Sequence, residues 1–152
     1  MQPPRKIKPS SLADYLEVLT KVVFQSGMSW RVIETKWSGF REAFDGFDPA
    51  TVASFGPGDI DRLAEDARIV RNRRKIEATI HNAETILALD REHEGFGGYL
   101  RSRDSFADLV ADLRRNFRFL GDSGAYFFLY VVGELVPSHE EWEASRRQKA
   151  SA

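Results

Sequence analysis

Aromatic residues at helical spacing constrain this chain more than any other feature in it. In the stretch Phe24–Phe44, FQSGMSWRVIETKWSGFREAF, the residues Trp30, Ile33, Trp37, Phe40 and Phe44 recur at intervals that alternate between three and four. That spacing places them on one face of an amphipathic helix. Gly27 breaks the helical pattern before it, and Ser29 stands where an N-cap belongs. Periodicity favours a core role for the stripe. It leaves a second place open for Trp30, because a tryptophan in the first turn of a helix, beside a glycine corner, can line the mouth of a pocket.

The rest of the chain reads as further helices. Ser11 and Asp14 form a capping-box-like pair. After them Leu12, Tyr15, Leu16, Leu19, Val22 and Val23 make an apolar stripe that ends near Gly27. Asp48 followed by Pro49 opens a short helix that reaches about Phe55. Gly56-Pro57-Gly58 is a turn, and Asp59 starts a short helix through Leu63 and Ala67. Ile76, Ile80, Ala83 and Leu87 mark a long helix from about Asn72 to His93, and Glu92–Gly98 reads as a loop. Ser105 caps a helix with Phe106, Leu109, Val110 and Leu113 inward, which ends in Arg114-Arg115-Asn116. Asp122 or Ser123 caps a nearly all-apolar helix through Leu135, a pattern that implies a central, buried position. Ser138 with Glu141 caps a last helix, which frays into Arg146, Arg147 and Lys149. No segment alternates with a period of two, so no sheet is expected. The expectation is a single all-α domain of about seven or eight helices. An extended tail covers residues 1–10, the helical domain 11–145, and a frayed basic tail 146–152.

Composition narrows the function classes. With 152 residues, 42% of them hydrophobic, the chain is long enough for one domain with a real core. The formal charge is −1, so any nucleic-acid contact must come from a local basic patch. There are no cysteines, which removes disulfides, thiolate metal sites and cysteine nucleophiles and fits a cytoplasmic setting. The start, MQPPRKIKP, has no apolar run behind its basic residues and does not read as a signal peptide. The longest apolar run, Tyr126–Val132, is far short of the roughly 20 residues that span a bilayer. No phosphate-binding glycine loop, nucleophile elbow or metal-carboxylate cluster is present. His81, His93 and His139 are scattered, and His139 reads as a polar residue in a capping region.

Several motifs occur in a fixed order: QSGMSW, then K-W-x-x-F-R-x-A-F, then FDPATVA, then DIDRLAEDARIVRNRRKIEATIHNA. This series resembles the type I 3-methyladenine DNA glycosylases, without gaps from about Ser11 to Ala83. The resemblance resumes more loosely over NFRFLGDSGAYFFLYVVGELVPSH, Asn116 to His139. It implies a helix-hairpin-helix glycosylase fold, a monomer, and double-stranded DNA carrying an alkylated base as partner. It also implies a base pocket of Phe24, Gln25, Ser26 and Trp30. The segment from Leu113 to Ala125 resembles the hairpin itself. There Gly121, Ser123 and Gly124 would hold a DNA phosphate at a helix N-terminus, and Arg114, Arg115 and Arg118 would supply local positive charge. Asp122 argues against that role, because it puts a carboxylate where the phosphate would sit. The run Arg68, Arg71, Arg73, Arg74, Lys75 reads either as a solvated face or as a second backbone contact. The family carries glycines where Arg68 and Arg74 stand.

The chain departs from the family where chemistry would be done. The family's pocket glutamate aligns with Val22, and the superfamily's other acid position aligns with Ser138. Glu17 lies about 140° around the helix from Val22 and is expected to point elsewhere. Glu34, next to the Ile33 stripe, is expected to be exposed. No catalytic residue is therefore assigned. The alternative to a glycosylase is a non-catalytic module on the same fold that binds DNA, a small ligand or a protein. Of the family's zinc ligands only His139 falls on its position. Glu143 replaces a cysteine, and the N-terminal ligands have no counterpart in residues 1–10. One histidine cannot hold a structural zinc, so no metal and no cofactor are expected. Added zinc, or a chelator, should leave the melting temperature unchanged. Tightly bound stoichiometric zinc in metal analysis of the purified protein would overturn this.

Overall fold

The structure is a computed structural model that describes residues 5–151, with side chains over 5–148. Its described residues form nine α-helices and no strand. These are α1 (Leu12–Gln25), α2 (Trp30–Ala43), α3 (Pro49–Ala53), α4 (Pro57–Ala64), α5 (Arg73–Glu92), α6 (Phe96–Leu100), α7 (Phe106–Asn116), α8 (Asp122–Val131) and α9 (His139–Ser151). A 3-10 turn, Asp45–Phe47, joins α2 to α3. No described helix is long and apolar enough to cross a membrane. Residues 1–4 and 152 of the two expected tails lie outside the described residues.

Local chemistry explains most of the boundaries. Asp48 accepts from the Thr51 N–H at 3.0 Å, Asn72 from the Lys75 N–H at 3.1 Å, and Ser105 from the Asp108 N–H at 3.1 Å. Ser138 accepts from the Glu141 N–H at 3.2 Å. Ser11 and Ser29 hold N-cap positions without a side-chain cap bond. At the first of these sites Asp14 reaches back instead to the Ser10 N–H, 2.9 Å away.

Helix α4 stops at Ala64, short of the expected Ala67, and α9 continues through Ser151 where a frayed tail was expected from residue 146. Three further details differ from the sequence reading. First, α4 begins at Pro57, because the Asp59 carboxylate takes the Gly56 N–H at 2.9 Å and so sits inside the first turn. Second, the expected loop around Glu92–Gly98 contains the start of α6. A helix this short shows no periodicity, yet it buries Phe96, Tyr99 and Leu100. Third, α8 ends at Val131 rather than Leu135. Gly133 turns the chain with φ +83°, and Leu135 is left 97% exposed.

The core is organised around α1, which packs against α2, α5 and α8. Phe24 is fully buried, with its ring centroid 4.8 Å from that of Phe40. Trp37 stacks on Phe40 at 4.9 Å and on Phe47 at 5.4 Å. Phe47 reaches that stack because Asp45, Gly46 and Phe47 all take positive φ, at 50°, 68° and 61°. The Lys75 ammonium, on α5, donates to the carbonyls of Phe24 at 3.1 Å and Ser26 at 2.6 Å. These carbonyls belong to the last turn and cap of α1, where no intrahelical donor is available. Burial lowers the pKa of Lys75.

Towards the C-terminus, α9 is held by aromatic contact. The Trp142 ring lies 4.9 Å from Phe106 and 6.4 Å from Tyr126, and His139 lies 5.5 Å from Tyr126. The indole nitrogen of Trp142 is buried without a hydrogen-bond partner among the described residues. Among those residues no group of three or more potential ligands is arranged to hold a metal ion.

Gly39, inside α2, lets the backbone at Arg68 pack directly against the helix. A Cβ there would lie 2.4 Å from the Arg68 carbonyl oxygen and 2.8 Å from the Arg68 Cβ. Glycine to alanine within a helix ordinarily stabilises by up to about 1 kcal/mol. Here the clash is with backbone, and overpacking of that kind costs about 1–3 kcal/mol. Gly39→Ala should therefore lower stability, measured by denaturant unfolding, whereas Gly58→Ala, where nothing lies within 4 Å, should not.

Candidate functional site

A cavity of about 600 Å³ opens between α1, α2 and α8. Its size falls in the range of about 300–1,000 Å³ usual for small-molecule sites. Two helices build most of it. On α1, Glu17, Val18, Lys21, Val22 and Gln25 face the space, and on α2 Trp30, Glu34, Trp37 and Arg41 do so. At 100° per residue the α1 set spans an arc of about 140° and the α2 set about 60°. α1 thus forms a broad floor and α2 a narrow wall. Phe127 and Val131 of α8 close a third side. The chain before α1 closes a fourth with Arg5 and Ile7. That extended segment is held where the Ile7 N–H donates to the Val131 carbonyl at 2.7 Å and the Lys6 ammonium lies 4.7 Å from the Tyr130 ring centroid.

The stripe read from the sequence straddles this boundary. Ile33, Phe40 and Phe44 are fully buried in the core. Trp30, at the first position of α2, and Trp37 line the cavity. Of the expected base-pocket residues, Gln25 and Trp30 line the space. Phe24 instead lies in the core against Phe40, and Ser26 is exposed with its carbonyl held by Lys75.

Both carboxylates that the sequence reading set aside are at the cavity. The angle between Glu17 and Val22 is as expected, but the floor is wide enough to include both, one at each edge. Glu17 Oε2 accepts from Trp37 Nε1 at 2.7 Å and from Arg41 Nε at 2.6 Å. Glu34 is exposed, as expected, and still lines the rim, where its Oε1 lies 2.6 Å from the Lys21 ammonium. That ammonium also lies 5.4 Å from the Trp30 ring centroid and 5.2 Å from that of Trp37. The missed signal was spacing between helices. Glu17 and Lys21 stand one turn apart on α1, and Trp30, Glu34, Trp37 and Arg41 form one row on α2. Only the corner at Gly27 makes the two rows face each other.

Val22 is buried and apolar at its place on the floor. Its Cγ1 would lie 2.9 Å from a Cβ added at Gly124, so the missing side chain at Gly124 lets α8 approach α1. The expected phosphate contacts are therefore spread over different settings. Gly124 faces α1, while Gly121 is the exposed N-cap residue of α8. Ser123 Oγ lies 3.5 Å from Arg146. Asp122, at the first position of α8, takes Arg114 at 2.9 Å and Arg146 at 3.5 Å. Arg115 pairs with Asp112 at 3.2 Å. Arg118 is exposed and has no carboxylate partner among the described residues, and its backbone is fixed from both sides by buried Asn82. The Arg118 N–H donates to Asn82 Oδ1 at 2.9 Å, and its carbonyl accepts from Nδ2 at 3.2 Å. In the other basic run, Arg68 pairs with Asp66 at 2.7 Å, Arg73 pairs with Asp61 at 2.6 Å, and Lys75 is buried. Arg71 and Arg74 stay exposed.

The comparisons with known proteins agree with one another. The family model described as methyladenine glycosylase matches residues 11–113, which contain the floor, the α2 wall and the Lys75 anchor. The chain is similar to a DNA-3-methyladenine glycosylase of Haemophilus influenzae, at 29% identity over 136 residues, covering 76% of this chain and 73% of that protein. It is similar to DNA-3-methyladenine glycosylase 1 of Escherichia coli at 31% identity, covering 76% and 72%. Among solved structures it superposes on a variant of 3-methyladenine DNA glycosylase I in complex with 3-methyladenine, with a TM-score of 0.74 and 27% identity over 85% of this chain and 81% of that one. The enzyme from Staphylococcus aureus gives 0.72 and 27% over 87% and 79%. With a family model matched over two thirds of its length and a relative at 31% identity, the chain belongs to the methyladenine glycosylase family.

Proposed function

We propose that this chain is a DNA glycosylase of the 3-methyladenine type, which releases alkylated purines from DNA by hydrolysis of the N-glycosidic bond. The observation that carries this reading is the cavity itself: two tryptophans and two carboxylates on the segment that matches the family. A damaged nucleotide would leave the duplex and stack against Trp30, with Gln25 offering hydrogen bonds from the floor. Water would then attack the sugar carbon as the bond to the base breaks. A base alkylated on a ring nitrogen carries positive charge and is already a good leaving group. The enzyme then needs mainly to bind and orient it, which can supply roughly 7–11 kcal/mol of a barrier. A neutral lesion would need a positioned acid as well, a contribution of about 10²–10⁴-fold, and the family's position for one holds Val22. Alkylated purines are therefore the proposed substrates.

A second reading keeps the fold and the base site but not the catalysis, and Val22 is the observation in its favour. Incubation of the purified protein with methylated duplex DNA, and chromatography of the released bases, separates the two. Release of 3-methyladenine well above the buffer rate supports the enzyme. No release with protein in excess over lesions supports the binding module. On the enzyme reading, Val22→Glu should put a carboxyl at the cavity floor. It should cost about 1–3 kcal/mol of stability and raise the rate of release by roughly 10²-fold, the low end for a positioned acid–base group. Lower stability with no gain in rate would mean that the floor at Val22 is plain core.

The DNA-backbone contact is proposed for Arg118 and the N-terminal end of α8, together with Arg114, Arg115, Gly121 and Ser123. Binding should be insensitive to sequence and should weaken steeply between about 50 and 200 mM salt, because such contacts release counterions from phosphate. Arg118→Ala should weaken binding more than Arg114→Ala or Arg115→Ala, whose guanidinium groups already hold carboxylates. Affinity that does not change with salt would place the contact surface elsewhere.

A further inference from the structure

The Lys21 ammonium occupies the point in the cavity where its charges and rings converge. It lies 5.4 Å and 5.2 Å from the ring centroids of Trp30 and Trp37, and 2.6 Å from Glu34 Oε1. Both ring distances fall within the roughly 6 Å over which a cation is drawn to an aromatic face. The two carboxylates at this point are not equivalent. Glu17 is partly committed, since its Oε2 orients the Trp37 indole and holds Arg41, which leaves Oε1 without a hydrogen-bond partner among the described residues. Glu34, on the same helix as both tryptophans and between them in sequence, has Lys21 as its one ion-pair partner among the described residues.

We propose that Lys21 is a resident cation which a positively charged purine displaces, and that Glu34 is the residue that selects the purine for its charge. This rests on the reading of the cavity as a base site. The exchange conserves charge, with one cation leaving the two indoles and the carboxylate as another arrives. Displacement is easy for two reasons. The Lys21–Glu34 pair is partly solvated, with side chains 24% and 47% exposed, and pairs of that kind are weak. The ammonium also has a second place to go. Glu17 lies four residues before Lys21 on α1, the favourable order for a helical glutamate–lysine pair. A lysine that swings from Glu34 to Glu17 uncovers the indoles and leaves Glu34 free to face the incoming ring. A neutral purine cannot replace the charge that Glu34 loses, so it is disfavoured. Val22 can be apolar on this account, because the carboxylate that senses the base's charge comes from the wall rather than from the floor.

The test needs no bond cleavage, so it fails or succeeds independently of glycosylase activity. Binding of 1-methyl-2′-deoxyadenosine, protonated on its ring system at pH 6, is compared with binding of neutral 2′-deoxyadenosine by calorimetry or tryptophan fluorescence. Lys21→Met removes the resident cation and keeps an apolar stem. It should tighten binding of the charged nucleoside by about tenfold relative to the neutral one, the worth of one charge contact of this kind. Glu34→Gln should weaken binding of the charged nucleoside by about tenfold relative to the neutral one, and Glu34→Asp should restore part of it. Melting temperatures identify any variant that fails to fold, and Glu34→Asp then serves in its place. A Lys21→Met protein that binds both nucleosides more tightly by the same factor would show Lys21 to be a steric plug only. A Glu34→Gln protein whose preference for the charged nucleoside is unchanged would overturn the assignment.

Discussion

The buried ammonium of Lys75 fixes the geometry on which the cavity depends. The end of α1 exposes carbonyls with no donor of their own, and a cation at a helix C-terminus is favoured by both hydrogen bonding and the helix dipole. Lys75 supplies that cation from α5, and in binding Phe24 and Ser26 it holds the last turn of α1 and the start of the corner that follows. Gly27, with φ +76°, completes the turn into α2. The direction of α2 relative to α1 follows from this corner, and so does the meeting of the α1 row with the α2 row. A charge this deep is costly unless its hydrogen bonds are made. The corner therefore has a strong reason to take one shape.

Much of this was legible in the sequence, and the gaps have physical causes. The long helices followed from their stripes and caps, because periodicity and capping are local. Helix α6 escaped notice because five residues cannot display a period. The end of α8 was misplaced because the apolar pattern of the sequence continues past Gly133 although the helix does not. At the site, Trp30 was legible as a pocket residue from its place beside the glycine corner. Glu17 and Glu34 are not, because an angle measured from Val22 or from the Ile33 stripe places a residue only on its own helix. A cavity is made by the facing of two helices, and one helix's wheel does not contain that information. The setting of Gly124 was hidden for the same reason, since a glycine that admits a neighbouring helix looks in sequence like one that admits a phosphate.

The charges around the cavity also show why bulk composition says little about a site. The chain is nearly neutral overall, yet Arg5, Lys21, Arg41, Glu17 and Glu34 all meet at one opening. Lys21 is balanced by Glu34 and Arg41 by Glu17 over a few ångströms rather than over the molecule. The basic runs seen in the sequence mostly dissolve into such local pairs, leaving Arg118, Arg71 and Arg74 as the exposed remainder.

The docking of α9 has a consequence of a different kind. It rests on the Trp142 ring against Phe106 and Tyr126, while the indole nitrogen makes no bond among the described residues. Beside the Arg146–Asp122 pair, this helix is held largely by apolar area. Apolar contact does not titrate, and its strength fades as water is cooled. The grip on the last helix therefore weakens in the cold, where the hydrogen bonds of the fold hold.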